Sequence, residues 1–386
     1  MRRTTDAERE RLHETFAALC RIESPSGRER ACADWITEQL RGMGLEVQED
    51  DSGPRVGSDA GNLLARIPGN GRDSILLCAH MDTVPLTAPV EPVRVDDGWE
   101  NEGDGILGAD NKSAVAVILE LARRVTAAPR SPEIGLELLF TICEEVSLRG
   151  SKAFDASRLD SSFGYVFDHA TPIGEIVLAS PTHHRIDAEL RGRAAHAGVR
   201  PEVGRSAIAA AAGAIAAMRL GRLDDETTAN VGTIEGGTAI NVIPERCRIV
   251  AEVRSLDRER AETVATEMID HLQQAADAAE CDLDVTVQRG FEGYRIRPRA
   301  IEVGVAEQAL RACGYEPTHI ATGGASDANT LRVAGFPCVC LADGTEHNHE
   351  PTERISVDAL EGLLELALAI VDEAGRALAA AEAATT

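Results

Sequence analysis

Five short segments rich in histidine and carboxylate carry the residue types of a hydrolase that works with two metal ions. They are His80-Met81-Asp82, Gly108-Ala109-Asp110-Asn111-Lys112, Cys143-Glu144-Glu145-Val146, Phe167-Asp168-His169 and His347-Asn348-His349. Any one of them alone reads as a solvated surface feature. In His80-x-Asp82 the strand period of two puts both side chains on one face, so His80 can bind an ion while Asp82 holds its far imidazole nitrogen. Asp110, between a glycine and a helix start, reads either as an ordinary N-cap or as a carboxylate whose two oxygens bridge two ions. Glu144 and Glu145 would repel each other unless a cation or a shared proton compensates. In a two-metal site one such acid binds an ion and its neighbour takes a proton from water. With Asp168 and His349 added, two histidines and three carboxylates form a hard, zinc-compatible set. Such a set can hold two ions about 3.5–4 Å apart, bridged by Asp110 and a water.

Strands and helices must bring these segments together. Residues 74–79, 136–143 and 164–167 are apolar runs of strand length, and residues 8–21, 28–43 and 113–125 carry apolar residues at helical spacing. This alternation predicts an α/β fold with a mainly parallel sheet flanked by helices, in which ligands collect beyond the carboxyl ends of the strands. The texture changes near residue 178. A strand, an alanine-rich helix over 206–219, two strands around Gly236-Gly237 and a helix over 258–278 read as a smaller inserted α+β unit. The expected division is a catalytic domain of residues 1–177 and 295–386, with a lid of residues 178–294. Helices are expected over 301–313, after the turn 322–326 and over 357–380, with a strand over 338–341.

The chain of 386 residues exceeds the usual size of one core, which fits two domains. Its 39 basic and 64 acidic residues give a net charge of −25, which disfavours nucleic acid and anionic membrane as partners. No apolar stretch is long enough to span a bilayer, and the amino terminus has no signal-type apolar core, so a cytoplasmic location is expected. The nine dispersed cysteines read as reduced structural thiols. Lys112 and Lys152 are the only lysines, and both lie in or beside the segments above.

The phrases LLCAHMDTVP, GADNKSAVAVILEL, LLFTICEEVSLRGSKAFD, GRAAHAGVRPEVGRSAI, NVGTIEGGTAINVIPE, GGASDAN and GTEHNHEPTER resemble, in order, those of metallopeptidase family 20. The likeness is strongest to the peptidase T-like branch and spans residues 60–360. The resemblance implies one zinc held by His80, Asp110 and Asp168 and a second by Asp110, Glu145 and His349. It makes Glu144 the general base and places Asp82 behind His80. His169 and His347 become neighbours rather than ligands. The family's lid implies an oxyanion role for His196, which often reaches across a dimer, and ties Asn241 and Arg254 to the substrate's terminal carboxylate. Taken alone, His196 would be a turn histidine, Asn241 a turn cap and Arg254 half of an exposed ion pair. A cis bond Asp110-Asn111 is also implied. Asn111 stands where many relatives have an acid, and Ser147 where glycine is usual. The expectation is a dizinc exopeptidase of short peptides, with cobalt or manganese as other possible metals, a homodimer through the lid. N-acyl amino-acid amidohydrolase or carboxypeptidase activity is the alternative with the same centre. An inactive peptide-binding relative is the non-enzymatic one.

Overall fold

The computed structural model describes residues 4–71, 73–128 and 131–385. The chain divides into a first unit of Met1–Leu178, Arg295–Ala321 and Ser326–Thr386 and a second of Ala179–Tyr294 and Thr322–Ala325.

Four adjacent parallel strands form the middle of the first unit's sheet: Gly135–Thr141, Ser74–His80, Phe163–His169 and Cys338–Ala342. Their near-continuous apolar sequences suit strands covered on both faces; Ile75 to Ala79 are fully buried. Glu137, the carboxylate in the middle of Gly135–Thr141, is satisfied by Arg66 Nε at 2.9 Å and by the N–H groups of Asp160 and Ser161, as a buried charge must be. Antiparallel strands Leu63–Ile67 and Glu175–Ser180 flank the parallel set. Asp6–Cys20, Arg30–Gly42, Ala109–Thr126, Ile301–Ala312 and Val357–Thr385 are helices.

His80 pairs with Thr141 at the carboxyl ends of neighbouring strands, and Phe167 pairs with Leu341 one position before Asp168. The parallel register therefore delivers three of the five segments to one edge of the sheet. The fourth comes from the helix Ala109–Thr126, whose start is interrupted by non-helical Asp110 and Asn111 with a cis bond between them. The fifth is a hairpin loop. Thr345–Glu346 pairs with Arg354–Ser356 in a small sheet that continues through Gly98–Asn101 to Pro92–Val95, and residues 347–353 span its end. Neither short strand between 92 and 101 was expected, because each has only four residues, too few to show a period. No described helix is long and apolar enough to cross a membrane.

The second unit is an antiparallel sheet in the order Gly221–Asp224, Thr227–Gly236, Arg246–Ser255, Thr182–Arg191, Asp282–Phe291. Alternation puts Ile186, Ala188 and Leu190 with Ile249, Ala251 and Val253 on one face, where Ala207–Ala217 and Arg258–Ala278 cover them. Each helix starts where its cap dictates, Ser206 accepting from Ala209 N–H and Asp257 from Arg260 N–H. The opposite face is a lattice of charge in which Asp187 receives Arg185 and Arg248, and Glu189 receives Arg191 and Arg246. The turn expected at Gly236-Gly237 is a longer loop, residues 237–245, which carries Asn241.

Candidate metal centre

Two groups of ligand-type atoms lie within 4.8 Å of one another, His80, Asp110 and Asp168 in one, Asp110, Glu145 and His349 in the other. Asp110 belongs to both. Its Oδ1 is 3.0 Å from His80 Nε2, and its Oδ2 is 3.3 Å from His349 Nε2. His80 Nε2 is 3.3 Å from Asp168 Oδ1, and His349 Nε2 is 3.0 Å from Glu145 Oε1. That last pair makes no well-formed hydrogen bond, and Glu145 Oε1 is otherwise an orphaned buried acceptor. A buried acceptor left without a hydrogen bond and set this close to an imidazole suits a shared cation.

The electrostatics carry the same message. Burial opposes protonation of His80, yet Asp168, Asp110 and Asp82 outweigh it and hold its pKa well above the usual histidine value. Pairing with Asp110 and Glu145 carries His349 up to about 10. Burial pushes Asp168 up to about 8, with Asp110 and Asp327 adding repulsion against the pull of His80. Glu144 is raised well above its ordinary value by burial and by the Asp168 charge. The raised histidines report excess negative charge, and the carboxylates are raised first by burial and then by mutual repulsion; divalent cations would relieve both. Oxygen and imidazole donors in this ratio fit zinc or a similar ion.

Backbone geometry singles out the same loops. Among the described residues the non-glycine positions with left-handed φ are Cys143, Ser147, Leu148, Glu280, His347 and His349. All but Glu280 lie in the two loops that present Glu144, Glu145 and His349. Each such residue costs of order 1–2 kcal/mol, a cost that concentrates where geometry serves function. Ser147, at φ 70°, occupies a conformation that glycine takes freely, which is the physical reason glycine suits that position.

Asp82 is fully buried, but its carboxylate is placed differently from the expectation. His80 Nδ1 is 2.9 Å from the Asp82 backbone oxygen and 3.5 Å from Oδ1, while the carboxylate accepts Glu144 N–H at 3.0 Å and Glu145 N–H at 3.2 Å. Its main partners are thus the backbone of the acid pair. His347 is exposed, and His169 turns to Glu175 at 3.8 Å.

Several neighbours steer the ligands in roles that their residue types do not announce. Asn111 donates to Asp168 Oδ1 at 3.0 Å and Asn348 to Asp110 Oδ2 at 2.9 Å, each steering a carboxylate. Glu353, buried in the loop that carries His349, accepts Gly108 N–H at 2.7 Å and Asp110 N–H at 2.9 Å. Buried Asp327 receives the Thr141 hydroxyl.

His196, Asn241 and Arg254 belong to the second unit. His196 is exposed and bridges Val242, and Ala197 N–H reaches Asn241 O at 2.9 Å, so His196 and Asn241 share one end of that sheet. Arg254 pairs with His183 toward the opposite end. Its guanidinium is held by Glu252 through Nε and Nη2, donates to Gly323 O at 3.0 Å and lies over the Phe291 ring. The structure groups Asn241 with His196 rather than with Arg254.

Comparison with known proteins gives two family matches, to the peptidase dimerisation domain over residues 182–280 and to peptidase family M28 over residues 62–198. The uncharacterised protein YqjE of Bacillus subtilis (strain 168) is 36% identical over 368 residues, covering 95% of this chain and 99% of that one. Among solved structures, aminopeptidase PepT from Bacillus cereus ATCC 10987 is 38% identical, with a TM-score of 0.86 over 95% of this chain and 98% of that one. A tripeptidase from Staphylococcus aureus subsp. aureus Mu50 is 32% identical, with a TM-score of 0.91 over 95% and 99%.

Proposed function

The chain belongs to metallopeptidase family 20, in its peptidase T-like branch, and from that premise we propose that it is a dinuclear zinc exopeptidase releasing the N-terminal residue of short peptides, tripeptides above all. The observation that carries the reading is the pair of histidine-carboxylate groups sharing Asp110, with Glu144 beside them. In this reading His80, Asp110 and Asp168 hold one ion, and Asp110, Glu145 and His349 the other. Bound there, the ions would polarise the scissile carbonyl and make water easier to deprotonate.

The chain's own residues do the rest. Glu144 is buried, and its raised proton affinity suits a base that accepts a proton from the attacking water and later delivers it to the leaving amine. Asn111 and Asn348 fix the rotamers of Asp168 and Asp110. His196 donates to the oxyanion as the carbonyl becomes tetrahedral. Eight residues of strand separate the end of the sheet near Arg246 from Arg254, about 26 Å at 3.3 Å per residue. A tripeptide spans only about 10 Å. One copy of the second unit therefore cannot offer both His196 and Arg254 to one substrate, and we assign His196 and Asn241 to a second copy of the chain in a homodimer.

The test is Glu144→Gln assayed on unblocked di- and tripeptides beside N-acetylated amino acids, with metal content measured in parallel. Full metal content with turnover reduced by several orders of magnitude is expected. Near-normal hydrolysis by the variant would remove Glu144 as the base. Cleavage of acylated compounds alone by the wild type would move the protein to the amidohydrolases.

A further inference from the structure

The turn that carries Glu144 and Glu145 is held by carboxylates from outside it. Three successive N–H groups point outward: that of Cys143 to Glu29 Oε1 at 3.1 Å, and those of Glu144 and Glu145 to the two oxygens of Asp82. Cys143 stands at φ 51°, which lets neighbouring N–H groups converge on acceptors. Asp82 is held in turn by the Ser26 hydroxyl at 2.6 Å. Ser24 donates to Met81 O at 2.7 Å, and Ser26 N–H and Thr83 N–H exchange bonds with Thr83 O and Ser24 O, so the segment runs beside residues 81–83.

Glu29 is fully buried and has no basic partner within salt-bridge reach among those recorded for the described residues. Its carboxylate accepts Gly27 N–H at 2.8 Å, the Ser58 hydroxyl, and the backbone N–H and thiol of Cys143. Ser26-x-x-Glu29 before the helix Arg30–Gly42 has the spacing of a local capping box. Yet no side-chain cap bond forms at that helix start. Both side chains serve the acid turn instead, Glu29 directly and Ser26 through Asp82.

We propose that Ser26 and Glu29 are positioning residues for peptide hydrolysis, fixing with Asp82 the turn that presents Glu144 and Glu145. The inference rests on the reading of that pair as base and ligand. Charge-assisted bonds of this kind are stronger than neutral ones, and losing an outer partner of a metal ligand typically costs 10–100-fold in metal affinity or activity. Glu29→Ala should therefore lower kcat or the affinity for one of two zinc ions by about 10–100-fold with KM little changed. Glu29→Gln keeps an acceptor oxygen for Gly27 and Cys143 and can donate to Ser58, so it should recover most of the loss. Ser26→Ala, which leaves no charge behind, serves if Glu29→Ala does not fold, and should lower kcat several-fold. Amide hydrogen exchange at residues 143–145 in the metal-free protein gives a readout independent of turnover: faster in both alanine variants, and close to wild type in Glu29→Gln. Wild-type zinc affinity, kcat and exchange in the folded alanine variants would overturn the proposal. A wild type that binds no metal and cleaves no peptide would instead defeat the peptidase reading, while the exchange comparison would still decide whether these residues hold the turn.

Discussion

At the scale of single residues, the centre is a concentration of carboxylate that two imidazoles do not neutralise. His349, held near 10 by Asp110 and Glu145, and Asp168, pushed to about 8 by burial, should both carry protons at neutral pH in the metal-free protein. Metal ligands must be deprotonated, so zinc uptake should expel protons and bind more tightly as pH rises from 6 to 8, by about tenfold per pH unit for each proton displaced. Titration calorimetry in buffers of different ionisation heat measures that release; an affinity indifferent to pH over this range would contradict the assigned states. His80, Asp110, Glu144, Glu145, Asp168 and His349 were legible as candidates because histidine and paired acids at strand ends are chemically conspicuous. Asn111, Asn348 and Glu353 were not, since an amide or a lone glutamate in a loop has many solvated uses. Asp82 was legible as an outer residue, but which group its carboxylate holds depends on a chain crossing that spacing does not encode.

Elements decide how firmly these residues are held. The parallel strands were readable from continuous apolar runs, and their carboxyl ends followed from that. The strands between residues 92 and 101, four residues each, are too short to show a pattern, whereas Asp282–Phe291 does carry one, with Leu283, Val285 and Val287 alternating with polar residues as a one-sided strand should. The small sheet matters nonetheless, for its hairpin loop carries both His349 and Glu353, and Glu353 ties that loop to the start of the helix bearing Asp110. Glu353→Ala would leave the Gly108 and Asp110 N–H groups buried without acceptors. At about 1–3 kcal/mol for each unsatisfied group, the metal-free protein should lose roughly 2–6 kcal/mol in urea unfolding. Glu353→Gln, which retains an acceptor, should lose less; equal losses for the two variants would mean that the hydrogen bonds are not what Glu353 contributes.

At the scale of the whole molecule, the second unit has surfaces that its own fold leaves uncovered. Gly221–Asp224 pairs with the outer strand only along Thr227–Ala229, and among the described residues nothing pairs with the rest of that edge, where Ile234 is exposed. The outward side of Ala207–Ala217 is Ile208, Ala209, Ala212, Gly213 and Ala216, with no charge to keep it in water. An open edge and a flat apolar helix face invite a second copy, and an isologous pairing satisfies both at once. If each active site joins Glu144 of one copy to His196 of the other, then Glu144→Gln and His196→Ala homodimers are both impaired at every site. A mixed dimer is not. One of its sites combines the intact Glu144 of the His196→Ala chain with the intact His196 of the Glu144→Gln chain, and the other lacks both. Random exchange of equal amounts makes half the dimers mixed, so activity should return to about a quarter of the wild-type value. Mixing after denaturation and refolding, with an unmixed pair as control, measures it. Recovery no greater than the sum of the two variants would place His196 and Glu144 in the same chain's site, or remove His196 from the reaction.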